Sequence, residues 1–222
     1  IPAIAIIFFF YGRAYDMVVS YTIRQEQDRS AETAPLIEES IQKVLDVSEE
    51  ISSLDFYQTL FKNAITDSFT DLADSPDAAS FSRKVDQLIA GTPVTNVKIY
   101  MEVPKDSPSD INALFDKEDL KDTFLSLDQV RGTYWYGIFR GSRVSQLFCP
   151  SFYLGTKEQK AYGDQAYITH ASVIYNNRTY DAYMAVYYSG HDFQQILSEN
   201  LTLDDSVSYI MNERNNLVSA SS

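Results

Sequence analysis

A chain of 222 residues is long enough for one large domain, or one and a half small ones, built around a real hydrophobic core. Its 45% hydrophobic and 22% charged residues are the balance of a folded protein rather than a disordered one. A net charge of −13 with a pI near 4.5 offers no positive field to hold a phosphate backbone, so nucleic acid is excluded as an expected partner.

The chain opens on Ile1-Pro2-Ala3-Ile4-Ala5-Ile6-Ile7-Phe8-Phe9-Phe10-Tyr11, an apolar run with no charge before Arg13. A membrane-spanning helix needs about 20 such residues, and this run has about half. Two readings follow: the start of a buried helix, or the outer half of a transmembrane helix. Three consecutive Phe followed by Tyr11 suit lipid and then its interface, which favours the second. A signal peptide is disfavoured because no small-x-small cleavage site follows the run.

From Gly12 to about Leu54 there is hardly a turn signal. Ile37, Ile41, Val44, Leu45, Ile51 and Leu54 form a helical stripe, with Glu38, Glu39, Lys43, Asp46, Glu49 and Glu50 on the other face. Pro35 is expected to kink this helix or begin its second section. About forty residues at ~1.5 Å each reach about 60 Å, the length of a stalk. The pattern then predicts a second helix from Asp55 to Leu72 and a third from Ala78 to Ala90, separated by the turn Asp74-Ser75-Pro76-Asp77 and ended by Gly91-Thr92-Pro93.

Beyond this point the period changes to two. Strands are expected at Val94–Met101, at Thr133-Tyr134-Trp135-Tyr136-Gly137-Ile138-Phe139, and at Val144 to Phe148. Gln165 to Tyr175 and Thr179 to Tyr188 flank Asn176-Asn177-Arg178, the composition of a hairpin turn. A polar loop from Pro104 to Asp110 and an amphipathic piece from Ile111 to Leu125 lie between strands. His191 to Leu201 reads as a helix. Ser206 to Met211 and Leu217 to Ala220 read as strands joined by Asn212-Glu213-Arg214-Asn215-Asn216. Two strands alone are marginal in water, so this last hairpin either joins the main sheet or opens a second module.

No enzyme signature is present: no P-loop, GxSxG, HExxH or Gly-rich dinucleotide fingerprint. The chain is therefore read as non-catalytic, with no cofactor or metal expected. The one cysteine, Cys149, has no partner for a disulfide or a zinc site and is expected to be a small buried hydrophobe. His170 is expected mid-strand as a hydrogen-bonded structural histidine, with ligand contact the lesser reading, and His191 as structural at a helix start. Asp181 and Asp204-Asp205 read as turn or loop charges, while Asp164 is either a turn residue or a ligand acceptor.

The order of long helix, shorter helices, strands, helix and hairpin resembles the extracytoplasmic Cache sensor domains of bacterial receptors. The apolar start running into the long helix, Asn96-Val97-Lys98-Ile99-Tyr100, Tyr134-Trp135-Tyr136, and Ala182-Tyr183-Met184-Ala185-Val186-Tyr187-Tyr188 with Phe193, Ile196, Leu197 and Tyr209-Ile210-Met211-Asn212 carry the likeness. It implies an α+β fold in which a long N-terminal stalk helix packs on a PAS-like antiparallel sheet. The organisation would be residues 1–12 as the end of a transmembrane helix, 13–75 as stalk and following helix, 76–190 as a membrane-distal module, and 191–222 as a connecting helix leading into a second module.

The implied function is small-molecule sensing outside the cell membrane for a two-component histidine kinase. A helix-turn-helix regulator, diguanylate cyclase, chemoreceptor or envelope-stress sensor is the alternative. A parallel homodimer through the stalk helices would fit such a receptor. Aromatic walls with a few polar groups suit a small-molecule pocket, and Arg131, Trp135, Tyr136, Asp164 and Tyr167 are its expected ligand-binding residues. Arg131, Arg140 and Arg143 are each able to pair an anion. Arg131 precedes Trp135 by four residues, where amino-acid-binding members have an Arg two before the Trp, so the ligand is left open.

Overall fold

The structure is a computed structural model that describes residues 2–65, 68–105, 108–199, 207–211 and 217–220. Helix α1 runs from Pro2 to Ser53, unbroken at Pro35. A proline interrupts the backbone hydrogen-bond ladder because it has no N–H. Two residues before it, Thr33 Oγ1 donates to the Arg29 carbonyl, 2.9 Å away and one turn back. The C-terminal part of α1 enters the core: Val44, Val47 and Ile51 are buried, with Ile37, Ile41 and Leu45 half-buried beside them.

The region expected as one helix from Asp55 to Leu72 is instead three pieces. Helix α2 spans Asp55–Phe61, strand β1 is Ala64–Ile65, and α3 is Phe69–Ala73. The restart at α3 has a local cause, since the Ser68 side chain accepts from Asp71 N and caps it. Helix α4 follows at Pro76–Ile89, with Pro76 in the first turn and Ser75 capping Ala78 N. Then come β2 (Val94–Met101), α5 (Pro108–Asp116) and β3 (Phe124–Ser126).

A second correction concerns the aromatic segment. Residues expected as a strand at 133–139 form helix α6, Tyr134–Gly141. Thr133 is its N-cap, accepting from Tyr136 N at 3.4 Å. As a strand, Trp135 would face away from Tyr134 and Tyr136. As a helix, Trp135, Tyr136, Ile138 and Phe139 share the buried side, and Tyr134 is exposed.

The remainder is β4 (Gln146–Cys149), α7 (Thr156–Ala161), β5 (Gln165–Tyr175), β6 (Arg178–Tyr188), α8 (Gly190–Glu199), β7 (Tyr209–Met211) and β8 (Leu217–Ala220). The β5–β6 turn takes Asn176 and Asn177 through φ of 50° and 59°. Such paired positive angles suit a two-residue hairpin whose twist matches its strands, and asparagine tolerates them.

The main sheet has the order β1-β5-β6-β2-β3, with β4 also pairing β5. Its centre is antiparallel, but β1 runs parallel to β5 and β3 parallel to β2, so the sheet is mixed rather than antiparallel throughout. Strand alternation divides it into two faces. Val97, Ile99, Met101, Tyr167, Met184 and Val186 join α1 to α5 in an inner core. Tyr100, Ile168, Tyr183, Ala185 and Tyr187 join α6 and β4 in an outer core. The final hairpin, β7–β8, does not join this sheet and forms its own two-stranded one, with α8 packed against both β8 and α1. Its turn, 212–216, lies outside the described residues, as do the expected strand start at Ser206 and Asp204-Asp205.

Candidate ligand site on the outer sheet face

The outer face is rich in aromatic side chains because α6 lays its buried side across β2 and β6. Trp135 is fully buried, with Tyr100, Tyr136, Phe139 and Tyr183 ring centroids between 5.5 and 6.1 Å from its own. Beneath it lies a buried carboxylate. Glu158, in α7 and only 4% exposed, accepts from Trp135 Nε1 at 3.2 Å, Tyr187 Oη at 2.5 Å and Gly155 N at 2.7 Å. Tyr100 and Tyr187 share a further hydroxyl contact of 2.8 Å. Burial pushes both phenols well above the ordinary tyrosine range, so both remain protonated at neutral pH. This network fastens α6 and α7 to the sheet with every described hydroxyl in use.

Beside that closed network is an open cavity of about 320 Å³. Phe139 and Tyr183 form its aromatic wall, and Arg140, Arg143, His170 and Asp181 supply its charge and hydrogen bonds, with Ser142 and Val144 completing the lining. His170 Nε2 lies 3.0 Å from Asp181 Oδ1, and its ring packs at a tilt against Tyr183, centroids 5.1 Å apart. Burial, and then the Asp181 charge, pushes the Tyr183 phenol up, while Arg140 acts in the opposite direction. Arg140 and Arg143 are exposed, and neither forms an ion pair among the described residues. Exposed guanidiniums beside an aromatic wall are groups able to pair an oxyanion.

Two larger cavities lack that combination. One, of about 440 Å³ between α4, β2 and residues 118–123, is lined by Asp86, Glu118, Asp119 and Asp122. Its buried Lys98 donates to the Asp122 carbonyl and sits 4.6 Å from the Tyr162 ring centroid, so that cation is already engaged. The other, of about 500 Å³, is a groove between α1, α8 and β7 with Ile37, Ile41, Leu197 and Ile210 along it.

The five expected ligand residues do not converge. Arg131, Trp135 and Tyr136 are neighbours, but Arg131 is committed internally: Nε donates to Asp128 at 2.5 Å, and Nη1 to the Tyr136 hydroxyl at 3.2 Å. Its bond to Asp128 holds the guanidinium above its usual range. Asp164 accepts from Gly190 N at 2.8 Å and so fastens the start of α8. Tyr167 lies on the inner face, stacked on Phe148 at 4.7 Å and donating to Gln146 at 2.8 Å.

Arg140 and Arg143, read from sequence as anion partners, do line the cavity. His170, Asp181 and Phe139 were not singled out as its walls. The signal for the first two was the β5–β6 hairpin itself, since pairing about Asn176-Asn177 sets His170 opposite Tyr183 and places Asp181 diagonally nearby. Cys149 is fully buried, and burial holds its thiol well above the usual range. Among the described residues no group of three or more His, Cys, Asp or Glu is placed to hold a metal ion, and no helix is long and apolar enough to cross a membrane. No family model, curated protein or solved structure matches the chain.

Proposed function

We propose that this chain is the extracytoplasmic sensing region of a bacterial transmembrane receptor, of the Cache type, that binds a small anionic molecule in the outer-face cavity. The observation that carries the reading is the pair of exposed guanidiniums, Arg140 and Arg143, with no ion pair among the described residues, beside an aromatic wall in a chain of net charge −13. An acidic domain repels anions at long range, so a local basic concavity is a selective feature rather than part of a general field. The output in this reading is a two-component histidine kinase, with the chain held at the membrane by the N-terminal helix.

In this reading the two-faced sheet carries the signal. Strand β6 contributes Tyr183 to the cavity and Met184, Val186 and Tyr188 to the core that holds α1. A ligand that binds one arrangement of β5–β6 more tightly than another shifts the position of α1 by that difference in affinity, and by no more. Isothermal titration against small carboxylates, sulfonates and phosphate esters tests the reading. Saturable binding of an anion, weakened at least about tenfold (roughly 1.4 kcal/mol) by Arg140→Ala with Arg143→Ala, is expected. Binding indifferent to those substitutions, or confined to neutral or cationic compounds, would overturn it.

A second reading, recognition of a partner protein, is favoured by one observation. Tyr134 and Phe152 are both exposed and flank Tyr153 at ring distances of 4.9 and 4.8 Å, forming a small aromatic patch beside α6. Tyr134→Ser with Phe152→Ser would abolish partner capture while leaving anion titration unchanged.

A further inference from the structure

The hairpin that walls the outer-face cavity brings a titratable pair to its edge. Its register sets His170 of β5 opposite Tyr183 of β6, with Asp181 on the diagonal. His170 Nε2 lies 3.0 Å from Asp181 Oδ1. An ionised carboxylate only accepts, so Nε2 carries the hydrogen and Nδ1 is the nitrogen left to take up a proton. Nδ1 has no hydrogen bond among the described residues. The side chains of His170 and Asp181 are 36% and 42% exposed, so water and a ligand both reach the pair. The backbone beneath is fixed, with His170 N donating to the Ser145 carbonyl at 2.8 Å.

Each element packed around His170 adds a definite charge. Strand β6 contributes Asp181 and the Tyr183 phenol, which burial keeps neutral. Helix α6 and the turn after it contribute Arg140 and Arg143, while Ser142 and Val144 are uncharged. Glu102, just beyond β2, accepts from Asp181 N at 3.4 Å, and its own charge faces Arg131 at 3.9 Å. With His170 neutral, Arg140, Arg143 and Asp181 leave the cavity one net positive charge; protonation of His170 makes it two. A singly charged ligand is matched by the first state. A doubly charged one is matched only by the second.

We propose that the cavity is a proton-linked site for a dianion: a doubly charged anion pairs with Arg140 and Arg143, and Nδ1 of His170 takes up a proton as it enters. The inference rests on the anion-sensing reading and adds the charge of the ligand and the effect of pH. The proton comes from solvent, and no bond of the ligand changes. Protonated His170 keeps its hydrogen bond to Asp181, whose carboxylate stabilises the imidazolium. The imidazolium favours the anion, so affinity rises as pH falls through the histidine range, from about pH 8 to about pH 6. Across about 5 Å of screened, water-exposed space, two negative charges favour the imidazolium by about fivefold.

The test is isothermal titration of the full chain with meta-benzenedisulfonate and with benzenesulfonate, neither of which titrates in that range. Heats measured in bis-Tris and in Tris, which differ in ionisation enthalpy, count the protons taken up. The disulfonate is expected to bind more tightly than the monosulfonate throughout, and to tighten about fivefold from about pH 8 to about pH 6. It should take up roughly 0.4 proton near neutral pH, and the monosulfonate at most about half of that. His170→Gln should abolish the uptake and the pH response together. Asp181→Asn should tighten the disulfonate near about pH 8, a gain that damage to the fold does not produce, and move the response to lower pH. Disulfonate binding without proton uptake, or a pH response that survives His170→Gln, would overturn the inference and leave the anion site standing. A monosulfonate bound as tightly as the disulfonate would overturn the choice of a dianion. Failure of both probes to bind would overturn the anion-sensing reading and this inference with it.

Discussion

The two faces of the main sheet are packed by opposite means. The inner face is joined to α1–α5 by aliphatic side chains and a cluster of phenylalanines, with Phe56, Phe81 and Phe124 ring centroids 5.3 to 5.9 Å apart. Among the described residues the members of this core are uncharged, and the Asp110 carboxylate meets Tyr175 at its margin. The outer face is joined to α6 and α7 through Trp135, Tyr100 and Tyr187 around the Glu158 carboxylate. A dry apolar contact is tolerant of small shifts and indifferent to pH, whereas a buried polar network holds only in one arrangement. The polar clamp thus stands next to the cavity, and the apolar contact lies between the sheet and the long helix α1.

The largest expected effect separates these faces by size. Phe81→Ala removes a ring that is 1% exposed from the phenylalanine cluster and should cost about 3–5 kcal/mol in urea unfolding. Anion affinity should not change. Next, Glu158→Ala withdraws the acceptor from Trp135 Nε1, Tyr187 Oη and Gly155 N, and should cost about 3 kcal/mol because buried donors are left unpaired. Trp135 is the one tryptophan, so its emission should shift with the Glu158 substitution and stay fixed with that of Phe81. Equal emission shifts in both variants would mean that the two faces form a single coupled core, and the contrast would fail.

Arg140→Ala with Arg143→Ala is predicted to change stability by no more than about 0.5 kcal/mol, since both side chains are exposed and carry no internal ion pair among the described residues. A loss above about 1 kcal/mol would show that they hold the fold instead of an anion. Arg131→Ala should behave differently, because its guanidinium ties Asp128 to Tyr136 and reaches toward Glu102 at 3.9 Å.

How far the sequence carried depended on how local the cause was. The β5–β6 hairpin was legible because alternation and the Asn176-Asn177 turn act within a few residues. The α4 helix was legible through Ser75, Pro76 and its apolar stripe. The α6 segment was not, since Tyr134-Trp135-Tyr136 has strong strand propensity, and only a Thr133 cap and packing against Tyr183 decide for helix. The aromatic part of the expected site turned on the same local choice. Once Trp135 is placed on a helix, the arginines that reach the cavity are those at the end of that helix, Arg140 and Arg143, rather than Arg131 before its start. The face on which Tyr167 sits depends on strand order, which no local pattern encodes, and Asp164, one residue before β5, takes a structural role as a hydrogen-bond acceptor for the start of α8.

The smallest effect tests whether the inner face has any polar dependence at all. At its margin Asp110 of α5 accepts from Tyr175 Oη at 2.8 Å and from Thr70 N at 3.1 Å, tying α5 to β5 and α3. Partial burial raises its pKa, but the hydrogen bonds from Tyr175 and Thr70 outweigh this and hold the carboxyl below its ordinary value of 3.8. A carboxyl depressed in the folded state stabilises fully above its unfolded pKa, and the contribution is lost as pH falls through the folded value. The window therefore lies below about pH 4. The site is largely solvent-facing, so the contribution is about 0.5 kcal/mol or less. Asp110→Asn should lower the urea midpoint slightly near neutral pH, and this difference from the parent should narrow as pH falls below about 4. A difference that persists unchanged in acid would assign the role of Asp110 to shape rather than charge, and the inner face would then be insensitive to pH throughout.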